Sequence, residues 1–326
     1  MARIFCYVVH KAGVPDDSAF ELAAAARQID AAASPTAILT GSGAGLDAAC
    51  NALGAAYREI WKITLEALAY PNAELVRKAL LKVLPSDSIV LVAHEHFGID
   101  LAPGLSIKLN AAFVSDVLDI AGVEGAALKV VRQEFGGQVS AHVRCDISSG
   151  AVVTIRPGAF KAAEVTPASS QVVDKSAEVG ALAAGRRYLE TLVAEAGDVD
   201  ITKYNVLVSI GRGIQEKDNV AIAQELADAL GAAVSCSRPV VDAKWMEKAR
   251  QVGSSGKTVK PKVYLACGIS GSFQHLAGLK GSPFLIAINK NPKAPIFQVA
   301  DVGIVDDILE FLPELTNKIR EMRSVA

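Results

Sequence analysis

Short apolar runs rich in Val, Ile and Leu alternate with Ala-rich stretches of helical period from the first residues onward, and this rhythm limits what the chain can fold into. In order they read strand Ile4–Val9, helix Ser18–Ile29, strand Thr36–Leu39, helix Leu46–Leu53, strand Glu59–Ile63, helix Ala73–Leu84, strand Ser88–Ala93 and helix Leu101–Leu109. Strands separated by helices pair in parallel, with the helices covering both faces of the sheet. Val114–Ile120, Ala127–Phe135, Val139–Cys145 and Ala151–Ile155 follow with glycine-containing turns and no helices between them, so they are expected as antiparallel strands on the sheet edge.

The chain has 326 residues, too many for one comfortable core, and two domains are expected, 1–200 and 201–326. Hydrophobic residues make up 51% and aromatics only 6%, which suits close helix-on-sheet packing and an α/β class with two doubly wound, mostly parallel-sheet domains. A net charge of −2 gives no field that would draw the chain to nucleic acid or to an anionic membrane. Cys6, Cys50, Cys145, Cys236 and Cys267 are scattered without a CxxC pair and read as reduced core thiols. No apolar run approaches a membrane span and no signal-peptide pattern opens the chain, so a cytoplasmic protein without membrane insertion is expected.

In the first half, Gly41-Ser-Gly-Ala-Gly45 has Leu46 where a dinucleotide fingerprint wants its third glycine or an alanine, and it reads as a helix-entry turn. His94-Glu-His96 puts two imidazoles at a strand end with no third ligand at a telling spacing, and they read as surface histidines. Lys161–Val179 reads as an irregular connector, and Gly185–Ala196 as a helical bridge toward the second domain.

The second half carries the chemistry. Val263–Cys267 is an apolar strand that meets Gly268, Ser270 and Gly271, after which a helical pattern opens with Gln274 and His275. Small residues at such a junction let a ligand approach the backbone, and a helix N-terminus favours an anion or an electron-rich carbonyl. Strand Asn205–Ile210 delivers Gly211-Arg212-Gly213 to the end where doubly wound sheets bind ligands, ahead of a helix over Asp218–Gly231. A third strand, from Ala233, delivers Ser237-Arg238-Pro239; proline is expected to hold Arg238 extended and stop the strand, with Asp242 as the arginine's alternative partner. Gln251-Val-Gly-Ser-Ser-Gly-Lys257 is polar and glycine-rich without P-loop spacing. Asn289 closes strand Phe284–Ile288, and Asp307 opens the last helix.

Taken in this order, the set closely resembles the C-terminal FAD-binding domain of the electron transfer flavoprotein alpha subunit family. The likeness is most specific over about 205–320. Looser echoes precede it in Ile99-Asp-Leu-Ala-Pro103, Val114-Ser-Asp116 and Arg156-Pro-Gly-Ala-Phe160. The resemblance implies a Rossmann-like C-terminal domain and an FAD site made by Arg212, Ser237, Arg238, Gln251, Val252, Gly253, Ser254, Ser255, Ser270, Gly271, Ser272, Phe273, Gln274, His275, Asn289 and Asp307. It also assigns roles: Arg212 to FAD, Arg238 over the isoalloxazine, Ser255 to flavin N5, His275 near the pyrimidine carbonyl, and Asn289 and Asp307 to the diphosphate and adenosine end. Three departures stand out. Val9-His-Lys-Ala12 replaces an acidic opening, Ile210 replaces a glycine, and Ser254-Ser255 replaces Gln-Thr.

No nucleophile is paired with a base and no metal set appears, so an electron carrier fits better than an enzyme with its own substrate. The resemblance implies the alpha subunit of a heterodimer completed by a beta subunit. Such a protein takes electrons from flavoprotein dehydrogenases such as the acyl-CoA dehydrogenases of fatty acid beta-oxidation and passes them to a quinone-linked oxidoreductase. The alternatives are a bifurcating version that uses NADH and a non-redox adenine-nucleotide module.

Overall fold

In the computed structural model, residues 3–135, 138–162, 170–186, 188–190, 199–281 and 283–325 are described. Packing divides the chain into two compact units, 1–190 and 191–326. The first contains β1 (Ile4–Tyr7), the short antiparallel pair β2 (His10–Lys11) and β3 (Val14–Pro15), α1 (Ser18–Ile29), β4 (Thr36–Gly41), α2 (Ala44–Leu53), β5 (Glu59–Thr64), α3 (Ala73–Val83), β6 (Ile89–Ala93) and α4 (His96–Leu109). It continues with β7 (Ala112–Glu124), β8 (Ala127–Glu134), β9 (Val139–Asp146), β10 (Ala151–Ile155), β11 (Gln171–Asp174) and the single-turn α5 (Ser176–Val179).

Nine of these strands form one sheet in the order β11-β5-β4-β1-β6-β10-β7-β8-β9. Side-chain alternation along its strands feeds two cores. Ile4, Cys6, Ala37 and Leu39 pack with Leu22 of α1 and Leu46 of α2 on one face, while Phe5, Tyr7 and Ile38 pack with Val76 of α3 and Leu101 of α4 on the other. The first unit is therefore wound on both faces, in line with the expected β/α rhythm.

Four expectations need correction here. Ala151–Ile155 is not an antiparallel edge strand: β10 lies inside the sheet, parallel to both β6 and β7. All five of its residues are buried, and an unbroken apolar run is what a strand covered on both faces requires. Strand β7 serves two partners, pairing in parallel with β10 over its first half and antiparallel with β8 beyond, with register shifts and a left-handed Asp116 (φ 60°) at the changeover. Nor is the connector irregular throughout. Residues 171–174 add β11 to the edge beside β5, while 163–169 lie outside the described residues. Helix α4 begins five residues before the expected Leu101 and carries Pro103 within it. The expected helical bridge 185–196 falls mostly outside the described residues, and its described members 185, 186 and 188–190 form no helix.

The second unit holds β12 (Val206–Ile210), α6 (Val220–Leu230), β13 (Ala233–Cys236), α7 (Arg238–Asp242), β14 (Val263–Cys267), α8 (Phe273–Leu276), β15 (Phe284–Ile288), β16 (Val302–Ile304) and α9 (Ile308–Val325). Its five strands are all parallel, in the order β13-β12-β14-β15-β16. Counted along the chain this is the doubly wound order 2-1-3-4-5, whose switch point falls between the first and third strands, β12 and β14. Leu226 of α6 and Leu312 of α9 cover one face, and Val252, Val259 and Ile296 the other.

Candidate functional site

The loops that leave β12 and β14 meet at this switch point. Gly211 N donates to Cys267 O at 2.9 Å, and Gly213 N to Gly268 O at 3.2 Å. A Cβ on Gly211 would lie 2.2 Å from Gly268 O, and one on Gly213 would lie 2.6 Å from Gly268 Cα. Glycine is thus needed for one loop to lie on the other. That backbone contact holds the base of a cleft of about 640 Å³, well within the size of small-molecule sites.

Thirteen of the sixteen sequence-predicted residues line this cleft. They are Arg212, Ser237, Arg238, Gln251, Val252, Gly253, Ser254, Ser255, Ser270, Ser272, Gln274, His275 and Asn289. Three do not. Gly271 (φ 84°) is buried against Ile296, whose backbone N would be 2.4 Å from an added Cβ; Phe273 projects to solvent; Asp307 is held by Lys290 Nζ at 2.5 Å. Sequence reasoning left out Gly213, Pro239, Asp242, Gly268 and Ile269 as lining residues, although the walls beside Arg212, Arg238 and Ser270 implied them.

The strand ends account for the arrangement. Arg212 is the first residue of a single 3₁₀ turn after β12, and its side chain is exposed at the cleft. Ser237 is extended and largely buried, and its N–H donates to Ile210 O, so it seals the gap between β13 and β12. Arg238 is not extended, as Pro239 had led us to expect. It opens the one-turn helix α7 with Pro239 behind it, because proline's fixed φ suits a first helical turn, where its missing N–H has no partner to lose. Its Nε pairs with Asp242 Oδ2 at 3.4 Å, with both side chains more than 60% exposed.

The 251–257 loop closes on itself through Lys257 N to Gln251 O (2.7 Å) and Gly256 N to Gly253 O (2.9 Å), and it is tied to α8 by Ser254 N to Gln274 O (2.7 Å). Gly253 has φ 142°, a conformation side chains rarely adopt, and the loop needs it there to pass Gln274 O. Helix α8 is a single turn, which makes the expected macrodipole small. Ser270, Ser272 and Gln274 nonetheless present hydroxyl and amide groups to the cleft.

His275 lines the cleft from within its wall. Its ring is buried, with Nδ1 3.1 Å from the Val252 carbonyl and Nε2 2.9 Å from the Tyr264 hydroxyl. A carbonyl only accepts, so Nδ1 carries the proton, while Nε2 lies against the Tyr264 hydroxyl, which donates to Ser209 Oγ at 2.7 Å. Burial pushes its pKa down to about 4, against a smaller opposing effect of the Val252 hydrogen bond. The imidazole is neutral at pH 7 and both of its nitrogens are engaged within the protein. Asn289 is similarly committed in part, with Nδ2 donating to Ile269 O and Oδ1 accepting from Asn291 N.

The remaining sequence candidates are structural. Gly43 is the N-terminal cap of α2, in keeping with a helix-entry turn. His94 Nδ1 is 2.8 Å from Thr154 Oγ1, and burial lowers its pKa despite Asp116 nearby. All five cysteines are buried and free, and desolvation raises their thiols, Cys6 and Cys267 to about 12. Among the described residues no helix is long and apolar enough to cross a membrane.

Two exposed guanidinium groups, several hydroxyls and amides, and a glycine-built floor at the switch point of a parallel sheet define a module that binds a nucleotide cofactor. The donor set suits an anionic diphosphate joined to a ring with polar edges. The family model of the electron transfer flavoprotein FAD-binding domain matches residues 200–280, and that of the electron transfer flavoprotein domain matches residues 4–181. The electron transfer flavoprotein subunit alpha of Methylophilus methylotrophus is 42% identical over 231 residues, spanning 70% of both chains. That of Thermoanaerobacterium thermosaccharolyticum is 37% identical over 236 residues, and protein FixB of Clostridium saccharobutylicum 38% over 237. These two alignments span 72% of this chain, and 72% and 71% of the respective relatives. The chain belongs to the electron transfer flavoprotein alpha subunit family, and its cofactor is FAD.

Proposed function

We propose that this chain is the alpha subunit of a heterodimeric electron transfer flavoprotein. It holds FAD in the cleft of residues 201–326, and residues 1–200 dock the beta subunit. The observation that carries this reading is the convergence, on one cleft, of side chains from three strand ends and the 251–257 loop inside the segment that matches the FAD-binding family model, joined by Asn289 from a fourth strand end beyond it.

When bound, FAD supplies the redox chemistry, taking up and releasing electrons at its isoalloxazine. The chain's own part is to bind, orient and tune. Arg212 and the Ser270–Ser272 turn would hold the charged and hydroxylated length of the cofactor; Arg238 and Ser255 would face the ring. The neutral His275 braces the wall between α8 and Val252. Electrons would come from flavoprotein dehydrogenases, such as acyl-CoA dehydrogenases in beta-oxidation, and go to a quinone-linked oxidoreductase.

The test is to co-express the chain with its beta subunit and follow flavin absorption in the purified complex. An acyl-CoA dehydrogenase with its substrate should bleach the flavin band, and a quinone-linked oxidoreductase should restore it. Bleaching by NADH alone, with none by the dehydrogenase, would replace this reading with the bifurcating one.

A further inference from the structure

Gln251 and Ser255 divide between them a task that neither could perform alone. Gln251 is 3% exposed, and its backbone is pinned on both sides, N donating to Lys248 O and O accepting from Lys257 N. Its Nε2 donates to Ser255 Oγ at 2.8 Å, and among the described residues this is the only hydrogen-bond partner of the Ser255 side chain. Ser255 itself is exposed at the cleft.

A serine hydroxyl has one proton to give and lone pairs to receive. With Gln251 filling a lone pair from within the wall, the proton is left for whatever occupies the cleft. The loop cannot easily shift this geometry, because Gly256 is pressed against the Gln251 backbone, where an added Cβ would be 2.3 Å from its carbonyl oxygen.

We infer that Gln251 is a positioning residue that fixes the polarity of Ser255, making its hydroxyl a donor to an acceptor atom on the ring of the bound flavin. This rests on the reading of the cleft as the FAD site. Gln251→Glu keeps shape and size but replaces the amide donor with a carboxylate acceptor, which would turn the Ser255 proton inward. A buried carboxylate also brings charge, so the single variant does not isolate the effect.

The decisive experiment is a double-mutant cycle on the FAD-loaded complex with its beta subunit, using Gln251→Glu, Ser255→Ala and both together. Loss of one neutral hydrogen bond should weaken FAD binding about 5- to 10-fold in Ser255→Ala. Gln251→Glu should weaken it similarly, and the double variant should lose no more than either single one. The first reduction potential of the bound flavin should show the same non-additive pattern, which general damage to the fold would not produce. Gln251→Met, which offers neither donor nor charge, should give an intermediate loss. Additive losses, or wild-type values in Gln251→Glu while Ser255→Ala is impaired, would overturn the inference and leave the FAD site standing. Wild-type affinity and potential in all four variants would instead remove Ser255 from the FAD site, and the reading of the cleft would fail with it.

Discussion

The Tyr264 hydroxyl lies 2.9 Å from His275 Nε2 inside the wall of the cleft, and both side chains are buried. This contact completes a chain from Ser209 through Tyr264 and His275 to the Val252 carbonyl. It ties β12 and β14 to the loop that carries Ser255, so the histidine acts on the cleft as a brace.

The brace has a pH signature. His275 is depressed to about 4 when folded and returns to the ordinary value near 6.5 when unfolded. Between those values the unfolded chain binds the extra proton, so stability rises with pH across that window. Its contribution is complete above pH 6.5 and is lost as pH falls toward 4, by on the order of 3 kcal/mol. Denaturant titrations at pH 4.5 and 7 should show this slope, and His275→Gln should flatten it.

In the first unit, Arg156 grips Asp116 with two parallel bonds of 2.8 and 2.6 Å and gives a third to Gln133 Oε1. The pair is mostly buried; burial pushes the Asp116 carboxyl up, but this fork, with the His94 and Arg132 charges, holds it below its usual range. Arg156→Ala leaves a carboxylate without its partner and should cost roughly 3 kcal/mol; Arg156→Lys should recover little, because an ammonium cannot reproduce the fork. Chemical unfolding monitored on the first unit provides the check.

For the flavin, Arg238 and Asp242 should act in opposite directions on the first reduction potential. A unit charge at contact distance in solvated surroundings is worth about 1 kcal/mol, which corresponds to some tens of millivolts for one electron. Arg238→Ala should lower the potential by about that amount, while Arg238→Lys keeps part of it. Asp242→Asn should raise it, since the carboxylate 3.4 Å from the guanidinium offsets part of its charge. Spectroelectrochemical titration of the complex measures all three.

Much of this was legible in the sequence. Strand β14 and strand β15 were bounded by their apolar runs alone, and α1 by its Ala-rich period. Pairing partners were harder to read. Ala151–Ile155 reads as a strand and the glycine turns before it suggest a meander, but its lack of polar alternation marks a central position. The strand at Gln171–Asp174 has only two apolar residues, and it forms because β5 offers it an open edge. In the site, the order of the motifs brings thirteen residues together, while Arg238 opens a helical turn where an extended residue is expected. Whether proline ends a strand or starts a helix depends on the next turn, and the partner of a buried histidine, here Tyr264 on a neighbouring strand, carries no local sequence signal.

The central claim is that the second unit alone binds FAD while the first holds the partner. The direct measurement is gel filtration of the Arg212→Ala and Asn289→Ala complexes with the beta subunit, recording flavin absorbance together with protein. FAD affinity should fall roughly 10- to 100-fold for Arg212→Ala, as for loss of hydrogen bonds to a charged group. The flavin signal should therefore leave a heterodimer peak that stays in place. A heterodimer that falls apart while FAD remains bound to the isolated chain would contradict the account.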